Sequence, residues 1–392
     1  MDLVARHFAT GRWTRFELDD EWIAAVEELE GAEDFGPDDD WVAPAFWDIQ
    51  TNGRWGISFS SPELTRDQVV KIVRAQAELG TARLCPTLIT APVDATKQAL
   101  ETIAVACASA PDVAAKVVGI HLEGPFLSEL DGYRGAHPRD AILDPDWDLF
   151  REFQDAADGR IVLTTIAPER PGSIEFIERA VSEGIVVALG HTAADGPTLR
   201  AAVDAGARLS THLGNGIVAQ LPRHPNPIWE QAAIDGLSAS FIADGHHLDP
   251  STLRILTRAK TPGRTILVSD ASPLAGLPPG LYGEWAVDDS GKVVVSGTPY
   301  LAGAYPGLEA GLEMLLKSTD FSLAEAIATV TENPARLLGR TEPTLVNGAM
   351  ANLVVFKHDP NGGSPFRLTR SYIDGRWALP GSSSQQGNPA LD

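Results

Sequence analysis

From residue 41 to residue 270 the chain repeats one theme: an apolar, β-branched run, a polar residue at its carboxyl end, then a stretch with helical spacing. Eight such runs stand out: WVAPAFWDIQ, TARLCPTLIT, AAKVVGIHLE, RIVLTTIAPE, GIVVALGHT, ARLSTHL, LSASFIADGHH and RTILVSD. Helical patterns fill most of the gaps, as in TRDQVVKIVRAQAELG after the first run and SIEFIERAVSEG after the fourth. Strands that alternate with helices build parallel sheets, and eight units in one block favour closure over an open sheet. The pattern therefore predicts an α/β fold, a (β/α)8 TIM-like barrel over residues 41–339.

The two chain ends carry a different pattern. LVARHF and RWTRFEL alternate apolar and polar positions around an ATG turn, then run into the acidic stretch EELEGAEDFGPDDD, which suggests a hairpin followed by a solvated loop. GAMANLVVFKHD and RLTRSYIDGRWAL suggest further strands, the second with an Asp-Gly turn. Residues 1–40 and 340–380 are thus expected to form one small β-sandwich domain together. The tail 381–392 is polar, contains Gly, Ser and Pro, and is expected to be disordered.

Composition narrows the function without naming it. With 53 acidic against 31 basic residues, the formal charge of −22 argues against a nucleic-acid or anionic-membrane partner, because phosphates are repelled at long range. The absence of any apolar run of membrane-spanning length, and an amino terminus without a basic start and apolar centre, predict a soluble cytoplasmic chain. Cys85 and Cys107 lie in no CxxC or Cys/His array and are expected to be small buried hydrophobes.

The chemistry sits at the ends of the runs: Gln50 and Asn52, Thr90, His121 and Glu123, Glu169, His191, His212, His246 and His247, and Asp270. In a (β/α)8 barrel these ends converge on the face where active sites are built. Imidazole nitrogens with one carboxylate suit a zinc-like divalent ion that keeps a position open for water. Glu123, His191 and His212 make such a set, and Asp270 is placed to orient or deprotonate the water. Each residue also has a plainer reading. A lone strand-end His is commonly a satisfied hydrogen-bonding group, Asp270 before Ala-Ser resembles a helix N-cap, and Glu169 beside Arg170 suggests an exposed ion pair. His7 and His358, in the end domain, are expected to be structural or exposed.

Taken in order, HLEGPF (121–126), GAHP (135–138), LGHT (189–192), THLGNG (211–216), ADGHH (243–247) and VSDA (268–271) resemble the motif series of the N-acetylglucosamine-6-phosphate deacetylases of the amidohydrolase superfamily. The resemblance runs from about residue 41 to residue 377, and HLEGPF is its most specific part. It implies a metal held by Glu123, His191 and His212, with Asp270 as general base and later acid. It further implies substrate contacts from His137, from His247, and from Asn215 and Gly216, which stand where the family has Asn-Ala. It also implies a homodimer in which one subunit's loop reaches the other's substrate site.

Two departures bear on site and substrate. Where many amidohydrolases hold a second metal with His-x-His, this chain has Gln50-Thr51-Asn52; neutral amides bind zinc poorly, so one divalent ion per chain is expected, zinc or iron or a similar metal. The family's THLFNAM or THLYNAM reads THLGNGI, and its LAGS ends here in Ala304. Arg223 lies where the family places its phosphate-binding arginine, in an altered Pro-rich loop, and equally suits a substrate carboxylate or a surface acid. The activity implied is hydrolysis of the N-acetyl group of an amino sugar. The alternatives are an amidohydrolase acting on another N-acyl or cyclic-amide compound, and a catalytically silent sugar-binding homologue.

Overall fold

The computed structural model describes residues 1–30, 38–298, 300–359 and 365–381. Half of the expected acidic stretch (31–37) and the tail from 382 lie outside the described residues. All eight apolar runs contribute a strand to one parallel sheet, in chain order: Phe46–Thr51, Thr81–Ile89, Ile120–Glu123, Ile161–Ile166, Val186–Leu189, Leu209–Ser210, Ser238–Phe241 and Thr265–Leu267. The sheet closes just beyond the eighth strand, where Asp270 N–H donates to Gln50 C=O at 2.9 Å and Asn52 N–H to Ala271 C=O at 2.9 Å. Ile49, Cys85, Leu163, Ala188, Leu209 and Ile266 fill the interior, so the barrel is a packed core with its opening at one end.

Helices cover the outside, and their starts are written in the sequence. Thr65 and Gln68 form a capping box for Arg66–Ala75, and Asp249 caps Pro250–Lys260 with proline in the first turn. Both cysteines are buried and unpaired, and burial pushes the Cys85 thiol upward, as expected of inert core residues. No helix among the described residues is long and apolar enough to cross a membrane.

The chain ends assemble as one seven-stranded sheet, in the order Arg376–Ala378, Arg367–Ile373, Leu353–Lys357, Asp40–Pro44, Asp2–His7, Trp13–Asp19 and Trp22–Glu28. The expected Asp-Gly turn has positive φ at both Asp374 (51°) and Gly375 (72°), the backbone of a type I′ hairpin. The run WVAPAFWDIQ, read as a single strand, is two. Asp40–Pro44 pairs with Leu353–Lys357, and Pro44 has no N–H with which to continue. Ala45 N–H still reaches Asn352 C=O, but Phe46 N–H turns to Gly80 C=O in the barrel. A three-stranded meander, Gly280–Tyr282, Trp285–Val287 and Val293–Val295, was not anticipated from the pattern.

One buried cation ties the outer helices together. Lys260 is 1% exposed, and its Nζ donates to the carbonyls of Gln231 (2.6 Å), Ile234 (2.8 Å) and Leu237 (3.0 Å), just where helix Pro227–Ala233 ends. It thereby satisfies carbonyls left open at and beyond a helix terminus. Lys260→Met keeps the apolar stem and strands those acceptors; stability is expected to fall by about 2–4 kcal/mol, read by urea denaturation. An unchanged midpoint would mean that water replaces the ammonium at no cost.

Candidate active site

At the carboxyl ends of the strands lies a cavity of about 300 Å³ whose wall includes Glu123, His137, His191, His212, His247 and Asp270. These six positions come from separate segments of the sequence and meet only because the barrel closes. Three of them have a backbone that non-glycine residues seldom adopt: φ is 50° at His191, 30° at His212 and 46° at Asp270. Such left-handed conformations cost about 1–3 kcal/mol each and persist where surrounding structure enforces them. Each turns the chain sharply as it leaves its strand and directs the side chain inward.

Glu123, His191 and His212 bring their ligand atoms within 4.8 Å of one another, and all three are buried. Glu123 Oε1 lies 2.9 Å from His212 Nε2 and 3.4 Å from His191 Nε2, and the two Nε2 atoms are 3.1 Å apart. His191 Nδ1 donates to the Tyr133 carbonyl at 2.9 Å, which leaves the Nε2 lone pair facing inward. Burial acts to raise the Glu123 pKa, but the hydrogen bonds and charge of His191 and His212 hold the carboxyl well below its usual range. Two imidazole lone pairs and one carboxylate converging on a point with no protein cation is the donor set of a divalent metal.

Gln50 and Asn52 border the same site and engage its carboxylates through hydrogen bonds. Gln50 Nε2 donates to Glu123 Oε1 at 3.1 Å and to Asp270 Oδ1 at 3.2 Å, and Asn52 Nδ2 donates to Asp270 Oδ1 at 2.6 Å. Amide donors fill the space that further ligands would need, and among the described residues the metal-competent cluster is confined to Glu123, His191 and His212. Burial, reinforced by the charge of Glu123, pushes Asp270 up to about 6. No helix starts at Asp270, so the capping reading does not hold.

His137 accepts the backbone N–H of Thr90 at Nδ1 (3.3 Å), with Thr90 Oγ1 at 2.8 Å. Its proton therefore sits on Nε2, and burial, with the charge of His191 next, lowers its pKa to about 3 and keeps the ring neutral. Gly124 of HLEGPF explains the fit: at φ +94° a Cβ there would come within 2.2 Å of Thr90 Oγ1, the group that holds His137. His247 is fixed at Nδ1 by Asp244 Oδ2 (2.7 Å), which leaves Nε2 for a ligand. Asn215 and Gly216 line the cavity, Asn215 with its side chain on the His212 carbonyl at 3.3 Å.

Other positions fall elsewhere. Arg223 is exposed and lies outside the cavity wall. His246 is exposed, and His121 is buried against Thr165 Oγ1 at 2.8 Å. Glu169 is not an exposed ion-pair member. It accepts Thr192 Oγ1 at 2.5 Å and Ala193 N–H at 2.7 Å, bracing the turn after His191, while Arg170 pairs with Asp144 (2.7 Å) and Glu129 (3.5 Å). His358 is structural, bonded through Nδ1 to the Pro365 carbonyl at 2.6 Å; His7 stacks on Phe8. Ala304 acts through its backbone: its N–H donates to Asp270 C=O at 2.9 Å, and Ser272 N–H donates to its carbonyl at 2.7 Å, so a side-chain hydroxyl is dispensable for that bridge. The sequence reading missed Asp244, whose signal was its place three residues before His247, and the cavity-lining Trp285 and Tyr300 of the unforeseen meander region.

Fold and site together define a hydrolase of carbon–nitrogen bonds built on a metal-binding barrel. The chain belongs to the amidohydrolase family, which residues 41–378 match, and within it to the N-acetylglucosamine-6-phosphate deacetylase branch. It is 35% identical over 328 residues to N-acetylglucosamine-6-phosphate deacetylase of Bos taurus, covering 80% of this chain and 79% of that one. The crystal structure of N-acetyl-D-glucosamine-6-phosphate deacetylase from Mycobacterium smegmatis superposes with a TM-score of 0.85 at 30% identity, covering 97% of this chain and all (100%) of that one. A mutant of that enzyme in complex with N-acetyl-D-glucosamine-6-phosphate gives 0.82 at 31% identity, covering 94% and 95%.

Proposed function

We propose that this protein hydrolyses the N-acetyl group of N-acetylglucosamine 6-phosphate, yielding acetate and glucosamine 6-phosphate. The observation that carries the reading is the grouping of Glu123, His191 and His212 beside Asp270 in one cavity, in a chain whose relatives bear that activity in their names. Glu123, His191 and His212 would hold one divalent ion, zinc or a similar metal, which when bound supplies Lewis acidity toward water and carbonyl oxygen. Asp270 takes a proton from the attacking water and returns it to the departing amine. Both amide hydrogen bonds fall on its Oδ1, so Oδ2 is the atom assigned to proton transfer. His247, anchored by Asp244, contacts the acyl end through Nε2, and neutral His137 offers its Nε2–H to the sugar. Asn215 and Gly216 border the sugar's other side.

No Lys or Arg is among the residues lining the cavity. Exposed Arg223 is therefore assigned to the phosphate of substrate bound in the partner subunit of a homodimer, where its planar fork matches a dianion. Assays would compare N-acetylglucosamine 6-phosphate, its C4 epimer, the unphosphorylated sugar and other N-acyl compounds. The phosphorylated N-acetyl sugar should be turned over best. Arg223→Ala should raise its KM about tenfold or more with kcat within about twofold, while leaving the unphosphorylated sugar unaffected. Equal turnover of phosphorylated and unphosphorylated sugars by both proteins would refute the phosphate assignment.

A further inference from the structure

The barrel has a second pole. Where its strands begin, facing the end sheet, lies a cavity of about 680 Å³, against about 300 Å³ for the metal-site cavity. This end of such barrels usually serves stability, and packing rather than charge is expected there. Instead, three arginines border it: Arg83 near the start of the second strand, Arg160 just before the fourth, and Arg340 after the last helix.

Among the described residues Arg83 and Arg340 pair with no carboxylate, and Arg160 has only a long ion pair. Arg83 donates to the Ala82 carbonyl at 3.0 Å and lies 3.2 Å from Met350 Sδ. Arg340 donates to the Val118 carbonyl at 3.3 Å. The acid nearest Arg160 is Asp158, 4.0 Å away, and Arg160 Nε is buried without a hydrogen-bond partner among the described residues. Glu342, the one acid on the cavity wall, is already engaged by Arg336 at 2.9 Å. Acids outnumber basic residues 53 to 31 in this chain, so guanidinium groups can readily find surface carboxylates. Two that border one cavity without doing so, beside a third paired only at 4.0 Å, need another explanation. Burial lowers the Arg83 pKa, as expected of a guanidinium partly withdrawn from water.

We propose that this lower cavity binds a phosphorylated small molecule, at a site separate from the metal centre. Guanidinium groups fork onto phosphate oxygens, and three of them suit a group carrying two negative charges. Trp47, Val117 and Met350 give the same cavity an apolar side, and its volume exceeds the needs of a bare phosphate ion. An organic body attached to the phosphate therefore adds affinity there. The reading does not depend on which substrate the metal centre takes.

Isothermal titration of the metal-loaded protein with phenyl phosphate and with inorganic phosphate tests this. Saturable binding is expected, tighter for phenyl phosphate. Arg83→Met and Arg340→Met should each weaken it by about tenfold or more, and Arg83→Lys by less, because the charge stays and the fork is lost. Turnover at the metal centre without phenyl phosphate should stay within about twofold of wild type in all three, which also certifies the fold. Arg340 is exposed, so Arg340→Met decides the matter alone if Arg83→Met does not fold. Unchanged affinity in the arginine variants would place the anion at the metal centre and overturn the proposal. So would the absence of saturable heat up to about 10 mM ligand.

Discussion

Asp270→Asn is expected to lower kcat by about 10³-fold, within the range lost when a positioned general acid–base is removed, while metal content stays at the wild-type level. The substitution is close to isosteric and leaves the ligand set Glu123, His191 and His212 intact. It also keeps the local hydrogen bonding, because Asn52 and Gln50 both donate to Asp270 Oδ1 and an amide oxygen can still accept them. The wild-type pH profile supplies a second readout. Burial and then the charge of Glu123 push the Asp270 carboxyl up to about 6. A general base works only when deprotonated, so kcat/KM should fall as pH drops through that region. A cation on Glu123 offsets that charge and moves the limb to lower pH, never higher. In the variant the limb should vanish along with the rate. Retention of near-wild-type turnover would transfer the proton-transfer role to another group.

The second large effect concerns the metal itself. Glu123→Gln replaces the one anionic donor with an amide of the same shape, and metal affinity should fall at least about 100-fold. Elemental analysis after dialysis reads this directly, independently of any substrate. Hydrolysis should fall with occupancy and recover in part at high added metal. His191 and His212 alone leave two imidazoles, their Nε2 atoms 3.1 Å apart, with no anionic donor between them, too little to retain a divalent ion against dialysis. Full stoichiometry in the variant would remove Glu123 from the ligand set.

Much of this arrangement was legible in the sequence because it depends on period and position. Eight apolar runs with polar ends are sufficient to specify a parallel barrel, and the barrel brings together whatever those ends carry. Pattern put Glu123, His191, His212 and Asp270 among the strand-end candidates, and the motif resemblance singled them out from neighbours such as His121 and His246. What was not legible depends on backbone direction. WVAPAFWDIQ reads as one apolar run, yet the chain changes sheets between Ala45 and Phe46, a switch made by pairing partners far away in sequence. Glu169 looked like the partner of its neighbour Arg170, but its carboxylate turns toward Thr192 and Ala193, 23 and 24 residues on. The meander after residue 279 has strands of three residues each, too short to show a period. Arg223 illustrates the converse limit: its place in a motif gave it a role, but its side chain is exposed and lies outside the wall of the metal-site cavity.

The seam at which the barrel closes also joins segments that leave the ribosome far apart in time. Asp270 is held on one side by Gln50 and on the other by Ala304, residues separated by most of the chain. During synthesis the first strand emerges early and must wait for both later segments before its edge is covered. Helices and adjacent parallel strands can form from local contacts in the meantime, but this closure pairs the ends of the barrel and is intrinsically slow. A chain ending before residue 304 would keep the Gln50 and Asn52 bonds to Asp270 but lack the Ala304 N–H that donates to the Asp270 carbonyl at 2.9 Å, leaving that side of the seam open.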